Sequence, residues 1–367
     1  MDNYLTLLLL LSFLWASIVF FFSLGKQSQT SPKLPPGPPP YPIIGNLLDL
    51  VGDKAYRALT NLSKTYGKLM TLKLGSTTAI IISSPEMAKE ALHKHDLAFS
   101  SRTIPDAAKA LDHHKVSILW SPATAHWRTL RKVSAINLFS PKQLDSTQVH
   151  RESKLGELLQ HVEEKCARGE AIDVGEVVFT TILNSISNTF FSIDLAGYSS
   201  DLSHEFKDIV LSMGLLAGKP NIVDYFPALS VFDPQRIRKT MTNYFHKIFR
   251  IFNSIIDERM QKEDPYAGSD LLASLLNLTK ENSGFTRRDL LHLLLDLFLA
   301  GVDTTSSAVE WAMAELLRNP ETMIKARKEL KQALGKDDQE TASPRNQRKR
   351  EWSDRNVKPL VDINTRK

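Results

Sequence analysis

The stretch that decides the fold is "LLHLLLDLFLAGVDTTSSAVEWAMAELLR", Leu290–Arg318, which contains the longest continuous helical pattern in the chain. Thr286 precedes it as a capping residue with Asp289 three positions later, and the "NP" at 319–320 ends it. At 1.5 Å per residue this helix is about 50 Å long, enough to cross a whole domain. Its first half is apolar on nearly all sides, which predicts burial in a core.

The middle of this helix contains residues that weaken helices. Gly301 costs about 1 kcal/mol relative to alanine, and the polar residues that follow it add smaller penalties. Ala300 and Gly301 remove side-chain bulk and so give room for a large flat group against the helix backbone. Asp303 and Thr304 would place a carboxylate and a hydroxyl at the same buried spot, where a hydroxyl can bond to the carbonyl four residues earlier. The alternative is a close crossing of two helices around a satisfied polar patch.

A second segment, "ATAHWRTLRKV" at 123–133, carries an aromatic and a basic residue in a helical pattern. Trp127 and Arg131 are four residues apart and therefore lie on one helix face, where the indole N–H and the guanidinium can hold an acidic group between them. The alternative is ordinary cation–π packing of the two side chains.

The N-terminal region predicts a membrane anchor at residues 1–25. Tyr4–Leu24 has no charge and is long enough to span a bilayer as a helix of roughly 20 residues. Asp2 precedes it, and Lys26 and Lys33 follow it, which favours an uncleaved single-pass anchor with a cytosolic body over a removed leader of a secreted protein. The single cysteine, Cys166, excludes an internal disulfide framework and suits a reducing compartment.

Residues 26–46 predict a stiff hinge between anchor and body, because "KLPPGPPPYPIIGN" is too rich in proline to form a helix. The body, residues 47–336, predicts a mainly α fold with a small β portion. "KLMTLKLG" and "TTAIIIS" predict a hairpin around Gly75–Thr77. Besides the long helix, helical patterns cover 54–66, 124–138, 142–168, 175–191, 202–216 and 234–262.

The other charged and histidine-containing segments predict no further site. His113 and His114 are adjacent, cannot share a helix face as ligands, and are expected to be solvated. The formal charge of +5 does not imply a nucleic-acid partner. Residues 337–367 have scattered apolar residues and many charges, a composition typical of a disordered tail.

In their order, the anchor, "PPGPPP", "HWRTLRK", "NTFFSIDLAGY", "GKPNIVDYFP" and "AGVDTT" resemble the microsomal cytochrome P-450 family of haem-thiolate monooxygenases. The resemblance is closest to the plant geraniol 8-hydroxylase-like branch and covers residues 1 to about 336. It implies the P-450 fold, incomplete at its C-terminal side, with haem as cofactor.

The resemblance also implies roles for matching residues. Trp127 and Arg131 match the pair that binds a haem propionate. Ala300 and Gly301 match the residues that line the groove over the haem. Asp303 and Thr304 match the acid–alcohol pair that delivers protons during dioxygen activation, which makes them the expected catalytic residues.

The same resemblance implies the protein's location, its substrates and its redox partner. Such enzymes lie in the endoplasmic reticulum membrane, hydroxylate small lipophilic molecules such as monoterpenoids, and receive electrons from an NADPH-cytochrome P-450 reductase. Basic residues near Arg128 and Lys132 would face the reductase, and the segments Thr103–Leu119 and Leu216–Phe226 would border the substrate pocket.

The sequence departs from the family pattern after residue 318. An E-x-x-R helix, a P-x-R-F-like segment and F-x-x-G-x-R-x-C-x-G, whose cysteine ligates the iron, do not follow. Cys166 has no glycine or arginine upstream in register and is predicted to be a helix-surface or packing cysteine, so no residue is assigned as a metal ligand.

Three hypotheses stand at this point. The first is a gene whose complete product is a monooxygenase, with this reading frame or splicing departing from the family near residue 336. The second is a truncated, inactive product of that gene. The third is a catalytically dead, membrane-anchored helical protein that binds partners.

Overall fold

A computed structural model of the protein describes residues 34–337 apart from 53, 199–200, 267, 269 and 281–283, together with positions 12, 13, 15 and 17. The chain divides into two units, 1–96 and 97–367. The predicted anchor lies outside the described residues except for those four positions, and the predicted tail lies outside them except for Asp337.

The first unit contains the predicted hairpin. Helix α1 (Ala55–Tyr66) precedes strands β1 (Leu69–Leu74) and β2 (Thr77–Ile82), which pair antiparallel from Leu69 opposite Ile82 to Leu74 opposite Thr77. A two-residue turn with Gly75 at φ 60° joins the strands, so the hairpin is confirmed. Helix α2 (Pro85–Lys89) follows, capped by the Ser84 hydroxyl.

The proline-rich segment is more than a spacer where it is described. The amide of Thr71 in β1 donates to the carbonyl of Pro36 at 3.0 Å, and Gly45 forms a bridge with Leu74. A Cβ at Gly37 would lie 1.9 Å from the Thr71 carbonyl oxygen, so only glycine permits this approach. Residues 36–46 are therefore bonded to the hairpin of the first unit.

The rest of the described chain is helical. Its helices are α3 (Asp96–Phe99), α4 (His113–Val116), α5 (Ala125–Asn137), α6 (Pro141–Ser146), α7 (Gln148–Ala167), α8 (Val174–Phe191), α9 (Asp201–Gly218), α10 (Ile222–Tyr225), α11 (Ile237–Met260), α12 (Leu271–Lys280), α13 (Arg287–Arg318) and α14 (Pro320–Asp337). Short 3₁₀ segments occupy Asp106–Asp112 and Pro227–Val231.

Helix α13 is the long helix predicted from the sequence, and both of its ends are confirmed. Thr286 and Asp289 form a reciprocal capping box, and the helix ends at Arg318, immediately before the "NP". Leu290, Leu293, Leu294 and Leu295 are completely buried, as the apolar pattern predicts. Among the described residues α13 is the one helix long and apolar enough to cross a membrane, but its buried first half identifies it as a core helix.

An aromatic cluster packs α13 into the second unit. The Phe298 ring contacts the rings of Phe190 and Phe191 on α8, Phe206 on α9 and Phe252 on α11, with centroid distances of 4.9, 5.6, 6.0 and 5.2 Å. Such pairs add roughly 0.5–1.5 kcal/mol each beyond the burial of their area. The core of this unit is therefore centred on the first half of α13.

Two helical predictions need correction. The pattern at 142–168 is divided into α6 and α7 at Thr147, whose hydroxyl bonds to the carbonyls of Gln143 and Leu144. The helix predicted at 202–216 continues to Gly218 as α9, and a further helix, α10, follows at Ile222–Tyr225. Tertiary context therefore moves and divides elements whose existence the periodicity predicts.

Candidate functional site

The exposed face of α13 carries two of the predicted site residues. Ala300 and Thr304 are exposed and lie one turn apart. The Thr304 hydroxyl donates to the Ala300 carbonyl at 2.6 Å, the bond four residues back that the sequence suggested. The expectation that Thr304 is buried is wrong, because the described helices cover other sides of α13 at this point.

Gly301 and Asp303 lie on other sides of α13, toward the neighbouring helices. A Cβ at Gly301 would lie 2.7 Å from Ile186 Cδ1, so the glycine allows α13 to pack closely on α8. Asp303 is half-buried, and its Oδ2 lies within 4.0 Å of the position a Cβ would take at Gly214 of α9. The close-crossing alternative therefore accounts for Gly301, while Ala300 and Thr304 form the outward surface.

Trp127 and Arg131 lie on one face of α5, as their spacing predicts. The Arg131 guanidinium carbon is 5.7 Å from the centre of the Trp127 ring, a cation–π arrangement. The indole Nε1–H donates to the carbonyl of Ile118 at 2.9 Å. In this structure the indole N–H is thus directed to the backbone, and the exposed Arg131 presents the cation.

A buried polar cluster, which sequence reasoning missed, joins α4 to α13. Asp296 Oδ1 lies 3.0 Å from His113 Nε2, and Asp296 Oδ2 accepts from the Ser117 hydroxyl and the Ile118 amide, both at 2.8 Å. His113 Nδ1 lies 2.7 Å from His292 Nδ1. The prediction that His113 is solvated is wrong, since the side chain is 3% exposed.

A signal for this cluster was present in the sequence. His292 and Asp296 interrupt an apolar helix at a spacing of four residues, and buried polar groups require partners. The partners come from a segment whose own pattern does not predict burial, so the pairing could not be read from either segment alone.

The chain reverses sharply just before His113. Leu111 (φ 48°) and Asp112 (φ 57°) are in the left-handed region, which costs a non-glycine residue roughly 1–2 kcal/mol. Arg288 of α13 donates to both of their carbonyl oxygens at 3.3 and 3.4 Å. His126 Nε2 of α5 also lies 3.1 Å from Asp289 Oδ1 at the start of α13, without the alignment of a hydrogen bond.

The electrostatics of this cluster keep His292 neutral. Burial lowers the pKa of His292 to about 3, and the neighbouring His113 and Arg288 act in the same direction. If His113 donates from Nε2 to Asp296, its Nδ1 accepts from the Nδ1–H of His292 when both rings are neutral.

A separate groove in the second unit is almost entirely apolar. Its volume is about 670 Å³, and Pro220, Ile222, Tyr225, Leu229 and Phe232 are among its lining residues. Three of these belong to the segment Leu216–Phe226 that was expected to border a substrate pocket. Its lining suits a small lipophilic molecule.

Comparison with known proteins identifies the class. The cytochrome P450 family pattern matches residues 35–351, and the chain belongs to this family. The chain is 47% identical over 322 residues to geraniol 8-hydroxylase of Swertia mussotii, covering 87% of this chain and 65% of that protein. It is 47% identical over 343 residues to cytochrome P450 76T24 of Catharanthus roseus, covering 91% and 68%. It is 45% identical over 341 residues to inactive cytochrome P450 76AD1 of Beta vulgaris, covering 92% and 81%.

Members of this family bind haem, and the described residues fit one side of such a group. The small side chain of Ala300 leaves the outward face of α13 open to a flat ligand, and Arg131 offers an exposed cation for an acidic substituent. Among the described residues no cluster of three or more His, Cys, Asp or Glu side chains is arranged to bind a metal ion. Cys166 is exposed on α7, as predicted for a helix-surface cysteine.

Proposed function

We propose that this chain is a P450 monooxygenase polypeptide of the geraniol 8-hydroxylase type, whose complete machinery hydroxylates small lipophilic substrates such as monoterpenoids. The observation that carries the proposal is the Thr304–Ala300 bond on the open face of a core helix, in a chain that belongs to this family. The similarity to two geraniol 8-hydroxylases and the apolar groove support the substrate class.

The proposed roles follow the positions of the side chains. Arg131, with Trp127 beside it, would bind a haem propionate, and Ala300 would contact the flat face of the group. When bound, haem supplies dioxygen activation. Thr304 would hold a proton at its hydroxyl, and the half-buried carboxylate of Asp303, one residue away, would exchange protons with solvent. Gly301 contributes by letting α13 approach α8.

We further propose that residues 1–25 anchor the protein in the endoplasmic reticulum membrane, with residues 47–336 in the cytosol. The uncharged run at 4–24 and the lysines after it support this orientation. Arg128 and Lys132 are exposed on α5, and they would contact an NADPH-cytochrome P450 reductase. No nucleic-acid partner is proposed.

As written, the chain is proposed to be inactive on its own. The 367 residues contain one cysteine, and it lies on the surface of α7, outside any F-x-x-G-x-R-x-C-x-G segment. Without a thiolate ligand, oxygen–oxygen cleavage loses the electron push of sulfur.

The test is to express the full chain with a plant reductase in yeast microsomes and to supply geraniol. We expect no hydroxylated product and no thiolate-type Soret band of the reduced carbon monoxide complex. Haem binding, measured separately by titration, should weaken in Arg131→Ala relative to Lys132→Ala, an exposed basic neighbour. Product formation by the unaltered chain would contradict the proposed inactivity, and equal haem affinity of the two variants would contradict the role of Arg131.

A second candidate function, a catalytically dead binding protein, is favoured by the similarity to a relative named inactive. Trp311 on α13 and Ile324 and Leu330 on α14 are 63, 66 and 60% exposed, and they are large apolar side chains that a partner would cover. We expect the chain to co-purify with a full-length relative at fixed stoichiometry without haem, and Trp311→Glu to abolish the complex. Failure of the unaltered chain to co-purify would exclude this function.

A further inference from the structure

The buried carboxylate of Asp296 is joined to the Trp127 indole through one residue, Ile118. Its Oδ2 accepts from the Ser117 hydroxyl and the Ile118 amide, and its Oδ1 lies 3.0 Å from His113 Nε2. The carbonyl of the same residue, Ile118, accepts the indole N–H of Trp127 at 2.9 Å. Two consecutive hydrogen bonds therefore connect α13 to the aromatic ring on α5.

The two peptides that flank Ile118, 117–118 and 118–119, are held by several contacts. The Ser117 hydroxyl, which donates to Asp296, also accepts from the amides of Leu119 and Trp120 at 3.0 and 3.1 Å. Ser117 is completely buried and Asp296 is 6% exposed, so water does not compete for these bonds. The Leu119 amide and the Ile118 carbonyl belong to the same peptide, so the bond from Leu119 to the Ser117 hydroxyl holds this carbonyl in one direction.

The position of Asp296 on α13 connects the cluster to the proposed site. Asp296, Ala300 and Thr304 follow one another at intervals of four residues and lie on the same helix face. The segment at 113–118 covers this face at Asp296, and the face is exposed one turn later. Asp296, which is linked to the Trp127 indole through Ile118, therefore lies one turn before the exposed face of α13 at Ala300.

We propose that Asp296 is a positioning residue, whose carboxylate holds the Ile118 amide directly and the Leu119 amide through the Ser117 hydroxyl, so that the Ile118 carbonyl fixes the indole of Trp127. Arg131, stacked on this ring, is positioned by the same arrangement. The inference rests on the proposed function in one respect, the role of Trp127 and Arg131 in cofactor binding. The geometry itself is a property of the chain without cofactor.

Substitution of Asp296 by asparagine tests the proposal, because the amide group keeps the shape but has only one acceptor oxygen. The remaining oxygen can accept from Ser117 and Ile118 as Oδ2 does, but it no longer carries a charge, so both bonds become weaker. Ser117→Ala is the stronger change, since it removes the bond to Asp296 and the acceptor of the Leu119 and Trp120 amides and leaves the Ile118 amide on Asp296.

The measurement uses the full chain in detergent with ¹⁵N-labelled tryptophan indoles. The chain contains five tryptophans, and Trp127→Phe assigns the signal of interest. We expect the Trp127 indole N–H to exchange with solvent roughly tenfold faster in Ser117→Ala, as for loss of one hydrogen bond, with a smaller increase in Asp296→Asn. Its chemical shift should move in the same order.

Asp270→Asn is the matched control for general destabilisation. Asp270 is as buried as Asp296 and is bonded to Arg259, but it does not contact the 113–127 segment in the described contacts. This variant should lower the melting temperature and leave the Trp127 indole signal unchanged. An equal change of the indole signal in the control would overturn the proposal, as would an unchanged signal in both Asp296→Asn and Ser117→Ala.

A haem titration of the same samples separates this inference from the proposed function. If the indole responds to Asp296→Asn but the unaltered chain binds no haem, Asp296 positions Trp127 and the cofactor role fails. If haem binds through Arg131 while the indole signal is insensitive to both variants, the cofactor role stands and the inference fails.

Discussion

His113 Nδ1 and His292 Nδ1 lie 2.7 Å apart, and both imidazole rings are buried between α4, α11 and α13. Two rings at this distance need one donor and one acceptor, which two neutral imidazoles supply and two imidazoliums do not. A histidine pair of this kind makes the folded state sensitive to acid.

The first prediction concerns this pH dependence. His292 keeps a pKa of about 3 in the folded chain against an ordinary value of 6.5, so between these values the unfolded chain binds a proton that the folded chain does not. The free energy of unfolding should therefore fall as the pH decreases from about 6.5 toward 3, by up to about 1.4 kcal/mol per pH unit. Arg288, Asp289, Asp296 and His113 are the charged or titratable groups that act on this ring.

Urea denaturation of the full chain between pH 7 and 4 measures this slope. His292→Asn is the control, because the asparagine amide can donate near the Nδ1 position and does not titrate. The difference in slope between the two chains isolates His292 from the other histidines. Identical slopes would contradict the prediction.

The second prediction concerns the buried ion pair between Arg259 and Asp270. Their side-chain atoms Nη2 and Oδ2 are 2.6 Å apart, and the Ser192 hydroxyl also donates to this carboxylate. Asp270→Asn should lower the free energy of unfolding by about 3–5 kcal/mol, because it leaves a buried guanidinium without its counter-charge. Asp257→Asn breaks the exposed pair with Arg287 and should cost less than about 1 kcal/mol. Equal losses in the two variants, measured by urea denaturation, would contradict this account.

The third prediction concerns the glycine in the α13–α8 crossing. Gly301→Ala gains about 1 kcal/mol of helix propensity but places a Cβ 2.7 Å from Ile186 Cδ1, and overpacking costs about 1–3 kcal/mol. Ile186→Val removes Cδ1, after which the nearest remaining side-chain atom is Cγ1 at 3.8 Å. We expect Gly301→Ala to destabilise the natural chain and to stabilise the Ile186→Val chain. A double-mutant cycle by thermal denaturation measures the coupling, and additive effects would refute the steric explanation.

The fourth prediction separates the two hydroxyls that bond back to the helix. Thr304 is exposed, so Thr304→Ala should raise the free energy of unfolding by about 0.5 kcal/mol through helix propensity. Ser306 is buried and donates to the Val302 carbonyl at 2.8 Å, so Ser306→Ala should lower it by about 1 kcal/mol. If Thr304→Ala is instead the more destabilising change, Thr304 has a structural role that the exposed position does not explain.

The parts of the fold that depend on local signals were predictable from the sequence. The capping box at Thr286, the stop before Pro320 and the hairpin turn at Gly75 each depend on neighbouring residues, and the structure agrees with all three. The sequence also predicted that Thr304 is buried, and the structure shows it exposed.

The parts that depend on distant contacts were not predictable. Ser117 and Asp296 are 179 residues apart in the chain, and neither segment specifies the other. The Trp127–Arg131 spacing indicated a shared face, but the direction of the indole N–H depends on the Ile118 carbonyl, which comes from a different segment. Periodicity describes a helix face and does not identify what covers it.

The buried polar residues of α13 limit how this helix can rotate about its own axis. A helix that is apolar on all sides has little preference for one rotation about its own axis, since each angle buries similar leucines. Asp289, His292 and Asp296 remove this freedom, because a turn of about 100°, one residue, would bury their polar groups among hydrocarbon. These buried side chains therefore fix the rotation of the whole helix about its axis. Because Thr304 lies two turns after Asp296 on the same helix, they also determine that Thr304 faces outward.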